Sequence, residues 1–153
     1  MPAQAPKPAR APEPTQEVEP AHEALLRLVR DTHRGKPATE PVLVICRWCG
    51  ATEFTVGDTE CFCIGCCLPL GVGNGEEHGF PGQYPWRLEA GDTPIPACAA
   101  QRCCCHDGHA EFELALATTP GPDHRPRTLT IALHCPQDHS LHLYLSNAHL
   151  TPR

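Results

Sequence analysis

Two C-x-x-C pairs constrain this chain more than any other feature. "CRWC" spans 46–49, "CIGC" spans 63–66, and thirteen residues separate them. Within that spacer, "TEFTVGDTECF" reads as a hairpin turning at Gly57-Asp58. Each pair forms a tight knuckle that presents two sulfurs on one side. A hairpin between two knuckles brings four thiolates to one tetrahedral point, the arrangement that structural Zn²⁺ requires, with Zn–S bonds of about 2.3 Å. Cys46, Cys49, Cys63 and Cys66 are therefore the expected ligands of a first site. Cys61 and Cys67 flank the second pair and are read as small apolar packing or shielding residues. A rubredoxin-like iron or an iron–sulfur group remains an alternative, because thiolate ligation alone does not select the metal.

The rest of the composition says why such a clamp is needed. Apolar residues make up 41% of the 153 positions but aromatics only 5%, so little large side-chain volume is available for a core. Small folds with thin cores rely on staples, and the chain has eleven cysteines and ten histidines to supply them. Disulfides are the competing staple. They need an oxidising compartment, yet "MPAQAPKPARAPEPTQEVEP" contains no apolar stretch of the kind a secretory signal carries. Eleven is also odd, which leaves one thiol over. No run of about 18 apolar residues offers a membrane span. The expected setting is intracellular and cytoplasmic, with sulfur bound to metal. A thioredoxin-like role for either pair lacks the surrounding βαβ pattern.

Charge narrows the partner. The formal net charge is −6, and residues 41–153 carry six arginines, no lysine and twelve acidic residues. Nucleic-acid affinity comes largely from neutralising phosphates with Lys and Arg. Direct DNA or RNA binding is therefore the lesser expectation, and a protein partner the greater one.

Four segments follow from pattern changes. Residues 1–19 are rich in Pro, Ala and Glu and read as a disordered tail. Residues 20–41 hold an amphipathic helix and a linker: Pro20 suits its start, Gly35 its end, and Ala21, Leu25, Leu28 and Val29 form one apolar stripe. That stripe either packs on the rest of the chain or docks in a partner groove. Residues 42–90 form the first metal unit, with the Gly-rich stretch 71–83 as a flexible connection and "YPWRL" as a final strand or an aromatic contact patch. Residues 91–153 form a second β unit. In it, Phe112, Leu114 and Leu116, then Leu129, Ile131 and Leu133, then Leu141, Leu143 and Leu145, alternate with polar or small residues. Three such segments predict an antiparallel sheet with one buried face. His134 and His142 fall on the opposite, solvated face in that reading.

The second unit echoes the first. "CRWCGATEF", 46–54, and "CCHDGHAEF", 104–112, share Cys46/Cys104, Gly50/Gly108, Glu53/Glu111 and Phe54/Phe112, and "CIGC", 63–66, compares with "CPQD", 135–138. The direct counterpart would place Asp107 and Asp138 where the first copy has cysteines, an uncommon donor set for zinc. Cys105, His109, Cys135 and His139, two C-x-x-x-H pairs, form an ordinary Cys₂His₂ set and are the expected second-site ligands. Cys98, Cys103, Cys104 and His106 are possible substitutes. Zn²⁺ is thus expected at two sites.

On residues 42–67 the chain resembles the zinc-ribbon family, and residues 104–139 look like a degenerate second copy. The resemblance implies a small, mainly-β, metal-stabilised fold of two antiparallel ribbon-like units, preceded here by one helix. It also implies a setting in transcription or translation machinery. A non-enzymatic adaptor or regulator that binds a macromolecule is the expectation. A thiol-based redox or metal sensor is the first alternative, since the extra cysteines of "CCC" 103–105 can hold labile metal or oxidise. A nucleic-acid-binding zinc protein is the second. "HAE", 109–111, matches the H-x-E of zinc deaminases, but no P-C-x-x-C follows it. A site with four protein ligands also has no open position for a substrate.

Overall fold

Leucine and alanine alternate in "ELALAT" and "TIALH", giving the central strands two unlike faces. The computed structural model describes residues 2–6, 20–57, 60–72, 83–84, 86–89 and 110–152. Within them lie one helix, α1 (Ala21–Thr32), and seven strands: β1 (Val42–Leu43), β2 (Glu53–Val56), β3 (Cys61–Cys63), β4 (Trp86–Leu88), β5 (Glu111–Pro120), β6 (Pro126–His134) and β7 (Leu141–Pro152). The Gly-rich stretch from 73 to 82 lies outside the described residues, as do Asp58, Cys98, Cys103, Cys104, Cys105, His106, Asp107 and His109. Most of the tail also falls outside them.

The sheet is antiparallel, in the order β3-β2-β5-β6-β7-β4, and β1 joins the same edge of β5 as β2 does. Strands before and after residue 90 therefore share one sheet: Phe54 of β2 pairs with Phe112 of β5, and Trp86 of β4 with Pro152 of β7. Residues 69–72 tie the outer strands together. Leu70 donates its N–H to Cys61, its carbonyl accepts from Gln83, and the Val72 carbonyl accepts from Leu88.

One face of the sheet carries the large side chains. Phe54, Phe112, Leu114, Leu129, Ile131, Leu133, Tyr144 and Leu145 form its core with Leu70 and Val72. The other face is floored by Ala115, Ala117 and Ala132, against which Leu25 and Val29 of α1 are fully buried. Burying a side chain of this size stabilises by about 1.5–3 kcal/mol. Alanine suits this face because a missing side chain lets the helix axis approach the sheet closely. The expectation of one buried face is corrected here: residues 129–134 of β6 are buried without a break.

Two further expectations change. Leu141, Leu143 and Leu145 do not share a face. Ile131 pairs with Leu145 and Ala132 with Leu143, so Tyr144 is an extra residue in the ladder. A bulge of this kind shifts the side-chain alternation by one. Tyr144 and Leu145 both enter the core, Leu143 turns to the helix side, and Leu141 is exposed. The Tyr144 hydroxyl donates to the Gly57 carbonyl and pins the first hairpin to β7. The histidines also depart from the solvated face. His134 is buried on the helix side, and His142 lies opposite Leu133, edge-on to Phe112 at 5.8 Å. Among the described residues, no helix is long and apolar enough to cross a membrane.

Candidate metal centre

The first knuckle follows Val44, whose N–H bonds to Leu114 of the central sheet. The chain then turns sharply. Gly50 N–H donates to the Cys46 carbonyl at 2.9 Å, and Cys46 N–H donates to Ala51 at 2.9 Å. Gly50 takes a left-handed φ of 78°, which glycine adopts without the penalty a Cβ imposes. The second knuckle repeats the pattern: Cys67 N–H to the Cys63 carbonyl at 2.8 Å, and Cys63 N–H to Leu68 at 3.0 Å. Here the left-handed position is held by Cys67, with φ 61°.

The β2–β3 hairpin carries the two knuckles side by side. Cys46, Cys49, Cys63 and Cys66 place their sulfurs all within 4.8 Å of one another. Cys46 and Cys66 are 3.6 Å apart, and Cys49 and Cys63 are 3.4 Å apart. Four sulfurs about 2.3 Å from a central ion would lie roughly 3.8 Å from each other, so the cluster can close on one divalent ion with small adjustments. Cys46 and Cys63 are buried, Cys66 is half-buried against the core, and Cys49 is exposed. Gly65 is required by the space: a Cβ there would stand 2.8 Å from the Cys49 sulfur and 3.2 Å from the Ala51 methyl.

The electrostatics of the cluster call for a cation. Burial pushes the Cys46 thiol up, but the N–H groups of Cys49 and Trp48, with the Cys63 and Cys66 thiols, outweigh it and bring it down to about 7. Burial leads the rise at Cys63, where N–H groups from Cys66 and Gly65 oppose it. At Cys66 the Leu68 N–H pulls downward, yet burial and the three neighbouring thiols drive the group up to about 12. Cys46 thus gives up its proton more readily than Cys66, whose thiol is crowded by its three neighbours. Thiolate ligation of a divalent ion releases thiol protons, so such a cluster would bind metal more tightly as pH rises.

Gln83 completes the cluster and was not foreseen from sequence. It is buried, accepts the Arg47 N–H on Oε1 at 3.0 Å, and points Nε2–H at the Cys46 sulfur at 3.6 Å. No spacing rule marks a glutamine inside a Gly-rich stretch. Glu60 was also missed. Its buried Oε1 accepts N–H bonds from Cys61, Gly71 and Val72, which fixes the chain leaving β3. Beyond the cluster, Arg47 lies over the Tyr84 ring at 5.8 Å, and Tyr84 stacks on Trp86 at 4.7 Å. The "YPWRL" aromatics therefore sit against the first knuckle as well as on the β7 edge.

Of the second ligand set, Cys105 and His109 lie outside the described residues. Cys135 is fully buried, and His139 is exposed with its ring against His134. The turn that joins them is a third knuckle. His139 N–H donates to the Cys135 carbonyl at 2.8 Å, Cys135 N–H donates to Ser140 at 2.9 Å, and His139 has φ 62°. His139 occupies the place of Gly50 and Cys67, and Asp138 the place of Cys49 and Cys66. Asp138 Oδ1 accepts from Ser140 N–H and Oγ. Compared with known proteins, the chain matches no family model, no curated protein and no solved structure.

Proposed function

We propose that this chain is a cytoplasmic zinc-ribbon protein that acts without catalysis, as an adaptor or regulator docking on another protein. The observation that carries the reading is the closed set of four thiols in two knuckles. Zinc fits it because four protein ligands in tetrahedral array suit an ion with no geometric preference of its own, and leave no position for substrate. The docking element is the outside of the knuckles. Trp48 and Ile64 stand between the cysteines of each pair and Ile45 precedes the first; all three are exposed. Exposed large apolar residues grouped on a rigid element mark contact surfaces. The α1 stripe is covered by the sheet, which leaves the knuckle tips as the better docking element. The transcription or translation setting rests on the zinc-ribbon resemblance.

A second zinc site belongs to the same proposal. Its support is the third knuckle at 135–139 and the pairing of Phe54 with Phe112, equivalent positions in the two sequence copies. Cys105, His109, Cys135 and His139 are its proposed ligands.

Two measurements test this. Mass spectrometry of native protein should find two equivalents of zinc; one equivalent removes the second site, and iron removes the zinc reading. Affinity purification from the native host should then retain a defined protein with the wild type and lose it with Trp48→Ala/Ile64→Ser at unchanged zinc content. Equal retention by both forms overturns the docking surface. A sensor reading is favoured by one feature, the exposed Cys67 thiol next to Cys66. Reversible release of metal by mild peroxide, abolished by Cys67→Ser, would select it.

A further inference from the structure

Beside the β5–β6 turn, the core face of the sheet opens into a cavity of about 430 Å³. Register explains the opening. Leu129 and Ala148 pair across β6 and β7, and both lie in the main core. Side chains two positions along a strand share a face, so Arg127 and Leu150 come next on that side. β4 adds Leu88 opposite Leu150 and Trp86 opposite Pro152. The apolar row thus runs on along β7 and β4, while β6 changes from leucine to arginine. Trp86, Leu150 and Pro152 line the apolar side of the cavity, and Asp123, Arg125 and Arg127 its polar side.

We propose that this cavity binds a small carboxylic acid with a flat apolar body. Arg125 and Arg127 hold the carboxylate, and the body rests on Trp86, Leu150 and Pro152. Three observations carry the assignment. The first is a floor that is already in place. Trp86 is buried and stacks on Tyr84 at 4.7 Å, and Leu150 packs against the main core. A mostly apolar cavity of a few hundred Å³ with a few convergent polar groups is the usual form of a small-molecule site. The second is donor type. Guanidinium groups are planar forks that match a carboxylate. Arg127 Nε and Asp123 Oδ1 lie 3.1 and 3.2 Å from where a Cβ on Gly121 would stand, so the bare glycine leaves the room both groups use. The third is charge. Residues 41–153 hold six arginines against twelve acidic residues, yet two of those arginines meet here with one carboxylate. Asp123 Oδ2 is 3.9 Å from Arg125 Nε and offsets one charge. Arg127 has no carboxylate within ion-pair distance among the described residues. One positive charge remains, which matches a carboxylate better than a phosphate monoester with nearly two negative charges. Trp48 and Ile64 form no part of the lining, so the site is separate from the knuckle tips.

The test uses the full-length, zinc-loaded protein with naphthoate as probe and naphthamide as its neutral counterpart. Calorimetry should show one equivalent of naphthoate bound. In nitrogen–proton spectra the Trp86 indole signal should shift saturably and the Trp48 signal should stay in place. Losing a charge-assisted hydrogen bond should make the amide bind roughly tenfold more weakly or worse. Arg127→Gln alters an exposed side chain, so its melting temperature should match the wild type while naphthoate affinity falls by roughly the same factor and amide affinity does not change. Arg125→Gln should lose less, because that guanidinium is shared with Asp123. Absence of a saturable Trp86 shift, equal affinity for acid and amide, or unchanged naphthoate affinity in the double arginine variant overturns the site. Tighter binding of naphthyl phosphate than of naphthoate overturns the assignment to a carboxylate. Zinc content and partner retention through Trp48 and Ile64 are read separately from all of these.

Discussion

The knuckle hairpin and the central sheet hold their shape by different means. β1, β2 and β3 have two, four and three residues, whereas β5, β6 and β7 have ten, nine and twelve. A pair of very short strands is not stable by itself, and the knuckles add turns whose inward atoms are mostly sulfur. The long strands have continuous ladders, an apolar core on one face and a docked helix on the other. Ligation is therefore expected to matter locally, around residues 44–72, rather than for the molecule as a whole. A chain poor in aromatics still builds a core by using leucine on one side of a strand and alanine on the other.

The comparison is broken most directly by taking the metal away. Structural zinc contributes on the order of 10 kcal/mol or more to the folding of the element it holds. Chelation, or Cys46→Ser, should abolish hydrogen-exchange protection at Cys46, Gly50, Cys63 and Cys67 while the β5–β7 amides keep theirs. If protection is lost throughout, the sheet is not self-supporting and the contrast fails. Ile131→Ala attacks the other half. Ile131 is fully buried in the main core, and a deletion of this size costs about 2–5 kcal/mol. Thermal melting should drop by many degrees with zinc content intact.

Gly65→Ala sharpens the comparison at the sulfur cluster. The new methyl must displace the Cys49 sulfur, and overpacking of this kind costs about 1–3 kcal/mol. Competition with a chromogenic chelator should show weaker metal binding by roughly tenfold, the equivalent of about 1.4 kcal/mol, with the melting of β5–β7 unchanged. Cys67→Gly is the smallest effect and has the opposite sign. Relieving a left-handed non-glycine residue should stabilise the second knuckle by about 1 kcal/mol, read as slower metal release. Metal stoichiometry should stay the same; loss of an equivalent would make Cys67 a ligand.

Local pattern made the knuckles and the long strands legible, because cysteine spacing and period-2 leucines act over a few residues. Helix α1 was legible for the same reason, and Leu25 and Val29 are its buried residues. What escaped was set by distant partners. Ala115, Ala117 and Ala132 look neutral in sequence and become core only because α1 lies on them. The bulge at Tyr144 shows up only in the register against Ile131 and Ala132. Gln83 and Glu60 look like ordinary polar residues until the folded chain surrounds them with N–H groups and a sulfur. β4 finds β7 across more than fifty residues of chain, and nothing in "WRL" names that partner.

Gly50, Cys67 and His139 share one backbone slot in three turns of the same design. Glycine fills it at no steric penalty, while a thiol or an imidazole there is kept against about 1–2 kcal/mol of conformational resistance. The mouth of each turn is thus a mounting point where reactive chemistry can be installed without redrawing the loop, and two of the three mounts carry it.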